Sequence, residues 1–205
     1  MPHPTVSNQE MLARIVRFAQ VKERPIPLMF IDSILPGHQR MNYAIIGDTA
    51  SENPDFAPAV TTPHKFQIGM FCAPPGNGPA YHTHDYVEMF LILSGKWRFY
   101  WGNDAEGEPE GEATLGKWDM ISLPPGLYRG FEVTSKRPAW GFAVLDPHAV
   151  FAGKDPIWSP KVVRAAEQHN FHADARGKMI KPANYADLHA EMLAKLQAAV
   201  ADAEE

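Results

Sequence analysis

Cysteine is nearly missing from this chain. Cys72 is the single one in 205 residues, which excludes an internal disulfide framework and any zinc site built on four thiolates. A lone thiol suits a reducing compartment, so a cytoplasmic protein is the expectation. No run approaches the roughly 18 consecutive apolar residues of a membrane helix. The opening Met-Pro-His-Pro-Thr-Val-Ser-Asn lacks the basic patch and apolar run of a secretory leader. Basic charge is also short. Lys and Arg number 19 against 24 Asp and Glu, for a net charge of -5, so neither a nucleic acid nor a membrane is an expected partner. No internal repeat is found, which argues against a duplicated two-barrel chain. Proline and glycine, by contrast, are plentiful at 19 and 15. They punctuate the middle of the chain, as short strands joined by turns require.

Hydrophobic periodicity divides the chain into three parts. Residues 1–40 hold one predicted helix, 7–21, with Ser7 and Glu10 as a capping box and Met11, Leu12, Ile15, Val16 and Ala19 at helical spacing. Pro25 and Pro27 end it. Residues 41–150 read as β-rich. Candidate strands are Met41–Ile46, Lys65–Cys72, Val87–Leu93, Trp97–Trp101, Asp119–Leu123, Tyr128–Val133 and Ala139–Leu145, with turn residues between most of them. Regularly spaced short strands predict a sandwich or barrel. The acidic stretch 103–112 reads as a solvated hairpin tip. Residues 151–205 turn helical, with Asn184 placed to cap a helix starting at Tyr185. Leu188, Met192, Leu193, Leu196 and Val200 form its apolar stripe.

The chemistry concentrates in Gly76–Gly95. His82 and His84 stand two apart, so on a strand they share one face about 6.5–7 Å apart. Two imidazoles leaning together can share one ion at about 2.0–2.1 Å. A straight strand would carry Glu88 roughly 13 Å beyond His84, so the chain has to bend near Asp85-Tyr86 for the carboxylate to return. After the bend, Glu88, Phe90 and Ile92 alternate onto one face. A carboxylate heading an apolar face is costly unless paired or bound to a metal.

Here the sequence resembles the cupin superfamily of small β-barrels. The first cupin motif, Gly, five residues, His-x-His, three or four residues, Glu, six residues, Gly, is matched by Gly76, His82, His84, Glu88 and Gly95. The second motif normally reads Gly-Asp, four residues, Pro-x-Gly, two residues, His. Here Trp118-Asp119, Pro124-Pro125-Gly126 and Arg129 stand in its place. Trp118 replaces the first glycine and Arg129 replaces the fourth ligand histidine. The resemblance covers about 66–146 and implies a mainly β fold. The expected form is a cupin barrel, that is a double-stranded β-helix or jelly roll, with helical additions at both ends. It also implies one divalent metal, Fe2+ first, with Zn2+, Ni2+ or Mn2+ as alternatives, held by His82, His84 and Glu88. Arginine keeps its proton and does not ligate. Two histidines and one carboxylate are the set of non-haem Fe(II) oxygenases.

Arg129 could bind a substrate carboxylate or enolate with its fork, or pair with Glu88 and replace the metal. Tyr128 is a candidate proton donor, although alternation sends Tyr128 and Arg129 to opposite faces. His148 and His64 read as turn histidines, and His38, His169, His172 and His189 lack ligand spacing. Cys72 reads as a buried inert thiol. The leading expectation is therefore a dioxygenase-like, metal-dependent enzyme acting on a small aromatic or carboxylate-bearing molecule. The alternatives are a metal-dependent isomerase or lyase, or a non-catalytic binding or sensing cupin. A homodimer is expected as the commonest closed assembly.

Overall fold

The computed structural model describes residues 5–26, 29–47, 53, 55, 57–61, 65–146, 156–175 and 178–201. Ten strands form two five-stranded sheets. They are β1 (Met41–Gly47), β2 (Gln67–Ala73), β3 (His82–Thr83), β4 (Glu88–Ile92), β5 (Lys96–Gly102), β6 (Gly111–Gly116), β7 (Met120–Leu123), β8 (Tyr128–Val133), β9 (Ala139–Leu145) and β10 (Ile157–Trp158). One sheet has the order β1-β2-β9-β4-β7 and the other β10-β3-β8-β5-β6. These strands pair antiparallel throughout both sheets. The chain crosses from one sheet to the other at every step except β1 to β2 and β5 to β6. This is the expected double-stranded β-helix.

Alternation supplies the inner faces. Phe90 and Ile92 on β4, Trp97 and Phe99 on β5, and Phe131 and Val133 on β8 are each at most 2% exposed. Their rings interlock, with Phe131 centred 4.7 Å from both Phe90 and Phe99. Each such ring contributes roughly 1.5–3 kcal/mol by leaving water. That packed floor fills one end of the barrel and leaves its polar residues at the other.

The turns explain the motif glycines. Gly76 and Gly95 have φ of 73° and 70°, a region that an L side chain enters only at a cost. A Cβ on Gly95 would also stand 2.5 Å from that of Ala139. Trp118, at the position where the second motif carries glycine, adopts φ 75°.

The predicted helix 7–21 is instead two short pieces, α1 (Asn8–Leu12) and α2 (Phe18–Val21). Ser7 and Glu10 do form the capping box, but Met11, Leu12 and Ile15 are about half exposed. Without a surface to bury that stripe, little sustains helix through β-branched Ile15-Val16. Val16 and Phe18 pack on β1 and β2 instead. A 3-10 turn (Phe30–Ser33) is wholly buried. At the other end, α3 (Pro160–Glu167) is capped by Ser159, and α4 (Tyr185–Val200) buries Tyr185, Met192, Leu196 and Val200. Asn184 precedes α4 but makes no side-chain cap. No described helix is long and apolar enough to cross a membrane.

Candidate metal centre

The bend required by the sequence falls where the chain changes sheets. β3 ends at Thr83 in one sheet and β4 starts at Glu88 in the other. His82 therefore faces Glu88 across the barrel instead of along a strand. His82, His84 and Glu88 are all buried, and one donor atom from each lies within 4.8 Å of the others. The imidazole centroids of His82 and His84 are 4.8 Å apart. His84 Nε2 is 3.8 Å from Glu88 Oε2, and the His84 ring stacks on Tyr86 at 4.6 Å.

His82 is set up as a neutral ligand. Its Nδ1 lies 2.6 Å from the carbonyl of Ala80, which fixes the proton on Nδ1 and leaves the Nε2 lone pair available. Burial holds its pKa well below the ordinary 6.5, and the charge of Arg129 and the neighbouring His84 add to that effect. A smaller contribution comes from Arg40.

Arg129 stands directly opposite His82 in the β3–β8 pairing, where the second cupin motif places its histidine. It is 1% exposed. Its Nη2 donates to Glu88 Oε2 at 2.9 Å and its Nη1 to the carbonyl of Leu127 at 3.2 Å. Tyr128 is not brought to this cluster. Alternation puts it on the opposite sheet face, where its ring packs at 5.6 Å on Tyr81.

The donor set suits a divalent ion. Ligand atoms at about 2.0–2.2 Å from one ion lie no more than about 4.4 Å apart, so the 4.8 Å limit closes with shifts under about half an ångström. Arg129 occupies Oε2 of Glu88, and the carboxylate keeps its second oxygen for an ion. This buried His/His/Glu group could therefore hold a metal.

Two features lay outside the reach of the sequence. Trp158 on β10 pairs with His82 from the side opposite Arg129, its ring 5.7 Å from the imidazole. Asp32 and Arg40 form a second buried ion pair at 3.3 Å, with the Arg40 guanidinium 5.8 Å from the inward-facing ring of Phe131. Burial raises the Asp32 pKa, and Arg40 and His38 oppose that rise. Neither residue sits in a ligand-like spacing, so no sequence signal marks them. His38 Nδ1 lies 3.0 Å from the carbonyl of Gly78, and His189 stacks on Tyr185. Cys72 is fully buried, as expected. His64 and His148 lie outside the described residues.

No family model matches the chain, and no curated protein sequence matches it. Solved structures similar to it are cupin or double-stranded β-helix proteins. The DMSP lyase DddQ from Ruegeria pomeroyi is 17% identical, the match covering 59% of this chain and 52% of that one, with a TM-score of 0.44. A double-stranded β-helix protein from Klebsiella pneumoniae is 17% identical, covering 63% and 88%, with a TM-score of 0.43. A cupin 2 domain-containing protein from Halorhodospira halophila is 13% identical, covering 64% and 78%, with a TM-score of 0.44. The match spans about half the length of the DMSP lyases. At such identities the likeness concerns fold alone. By its own sheet topology and its Gly76–Gly95 motif, this chain has the cupin fold.

Proposed function

We propose that this chain is a cytoplasmic, metal-dependent cupin enzyme acting on a small aromatic or carboxylate-bearing molecule, with dioxygenase-like chemistry. In this reading His82, His84 and Glu88 hold one divalent ion, Fe2+ first and Zn2+, Ni2+ or Mn2+ as alternatives. The observation that carries it is the convergence of three buried donors, His82 from one sheet, Glu88 from the other and His84 from the connection between them. One of them, His82, is kept neutral with its Nδ1 already engaged. A bound ion with only three protein ligands supplies Lewis-acid polarisation and, if it is iron, O2 activation at its open positions.

The chain's own residues do the rest. Ala80 fixes the tautomer of His82. Arg129 compensates the charge of Glu88 and presents a guanidinium that orients the substrate's negative oxygen. The packed Phe90, Phe99 and Phe131 floor excludes water from below. Tyr128 receives no proton-transfer role, because it faces away from Arg129. The same residues around a redox-inert ion would serve an isomerase or lyase.

The test is O2 uptake by Fe(II)-loaded protein against a panel of catechols and small carboxylic acids. Uptake that needs both iron and one of these compounds, and disappears in His84→Ala, is expected. Stoichiometric metal with no uptake would move the assignment to isomerase or lyase chemistry.

One observation favours a second reading. The 2.9 Å bond between Arg129 and Glu88 already neutralises the carboxylate, as it would in a metal-free binding or sensing barrel. Absence of metal binding would select it.

A homodimer is part of the proposal. Register places Met120, Leu91, Phe142 and Met70 in one row across β7, β4, β9 and β2. That row lies on the sheet face away from the barrel core, and Met120 is 64% exposed. Sedimentation velocity with wild type and Met120→Lys tests it, and a wild-type monomer would refute it.

A further inference from the structure

The two sheets present chemically different outer faces. On one, Arg98 of β5 pairs with Glu112 of β6 and Glu132 of β8. On the other, strands β2, β9, β4 and β7 hold a single charged residue, Glu88, and it points into the barrel. Beside the row from Met70 to Met120, register sets a second row from Ile68 through Val144 and Met89 to Ser122. Val87 continues the alternation of β4 and is 44% exposed. Among the described residues, α2 and α4 cover only the β1 side of this face, next to Met41, Tyr43 and Cys72. Met89, Leu91, Phe142 and Val144 join none of the hydrophobic clusters. Monomeric proteins rarely leave so continuous an apolar face open.

The same chain carries a second uncovered apolar surface. Val6, Met11, Leu12 and Ile15 of the N-terminal arm, residues 5–16, are 52%, 51%, 59% and 47% exposed. The arm is rooted at the margin of the apolar face. There Phe18 packs edge-on against Tyr43 and Trp140 at 5.2 and 5.3 Å, and Tyr43 donates its hydroxyl to the carbonyl of Lys22. From that root the arm does not turn back onto its own sheet, since its apolar residues stay about half exposed. We infer that the arm docks on the apolar sheet face of a second copy of this chain, whose own arm returns the contact. In a two-fold assembly, residue i of one subunit meets j of the other and j meets i. One such pairing therefore buries both arms and both faces, which a different protein would match only by carrying a complement to each. The arm is long enough. With α1 kept helical, residues 5–16 reach about 30 Å, and the strands from β2 to β7 span about 14–15 Å. This inference rests on the homodimer reading above and adds how the two copies are joined.

The test is charge-swap complementation in the full-length, tag-free chain, read by sedimentation velocity. The arm variant is Met11→Lys with Leu12→Lys, and the face variant is Val87→Glu with Met120→Glu. All four side chains are exposed in the single chain, so neither variant disturbs a core, and circular dichroism checks that each is folded. Wild type sediments as two chains. Each variant alone sediments as one, its dimer weakened about a hundredfold or more by the loss of two anchors in both contacts. An equimolar mixture of the variants sediments as two chains again. One arm-on-face contact is then intact, and in the other the lysines of the arm meet the glutamates of the face. A wild-type dimer that persists in the arm variant would overturn the arm exchange and leave the homodimer standing. Two folded monomeric variants that do not recover on mixing would do the same. A monomeric wild type would instead refute the homodimer reading itself.

Discussion

Replacing Arg129 by methionine separates the two roles open to it. Arg129 and Glu88 are 1% and 6% exposed and joined at 2.9 Å. Taking the guanidinium away leaves a carboxylate buried without a partner, which costs about 3–5 kcal/mol. For a chain of this length that corresponds to a fall of about 6–20 °C in melting temperature, at about 2–4 °C per kcal/mol. An ion held by His82, His84 and Glu88 would neutralise that carboxylate in the variant. With saturating Zn2+ the penalty should therefore shrink toward about 1 kcal/mol, the worth of the remaining lost hydrogen bond. The assay is urea denaturation of wild type and Arg129→Met, each with chelator and with zinc. The account predicts a large destabilisation under chelator and a several-fold smaller one with zinc. Equal penalties in the two conditions would refute it, because no ion would then be reaching Glu88.

Four further outcomes follow from the same geometry. Asp32→Ala strands the buried Arg40 and should cost about 3–5 kcal/mol in urea denaturation, whereas a change under about 1 kcal/mol would mean the pair contributes nothing. Gly78→Ala puts a Cβ 1.7 Å from the backbone oxygen of Phe131. It should fall at or above the top of the about 1–3 kcal/mol range of overpacked sites, read as a lower melting temperature. Trp118→Gly should raise the melting temperature by a few degrees. It relieves an L residue at φ 75°, worth roughly 1–2 kcal/mol, for a side chain that is 64% exposed. Finally, His82 is neutral in the fold and protonates in the unfolded chain near pH 6.5. The metal-free protein should therefore hold its full stability above that pH and lose it steadily on acidification below it. A flat profile between pH 7 and pH 5 would contradict the assignment of His82 as a buried neutral imidazole.

The parts legible in the sequence were those written by local pattern. β8 and β9 fall on the predicted Tyr128–Val133 and Ala139–Leu145 without change, because alternating large apolar residues between turn residues leave little choice of register. The bend before Glu88 followed from distance alone, and it proves to be the crossing from one sheet to the other. Two short strands were illegible for a physical reason. β3 and β10 are two residues each, too short for periodicity, and they form through long-range pairing, of β10 with β3 across 74 to 76 positions of chain and of β3 with β8. β6, with Gly111 and Glu112 inside the acidic stretch, has no apolar alternation and is held as an edge by β5. Trp158 and the Asp32–Arg40 pair owe their place near His82 to the same non-local folding of both termini onto the barrel. Helix 7–21 shows the opposite error, since its spacing was helical but Met11 and Leu12 found no partner surface.

The central claim is that this barrel holds a metal, and bound metal measured by elemental analysis tests it most directly. Tag-free wild type and His84→Ala would be compared as purified and after reconstitution with Fe(II), Zn2+, Ni2+ and Mn2+. The account predicts about one equivalent in the wild type, held at the His82, His84 and Glu88 donors, and none in the variant. No metal in either protein after reconstitution would contradict it. The Arg129–Glu88 pair would then be the finished structure of a metal-free binding barrel.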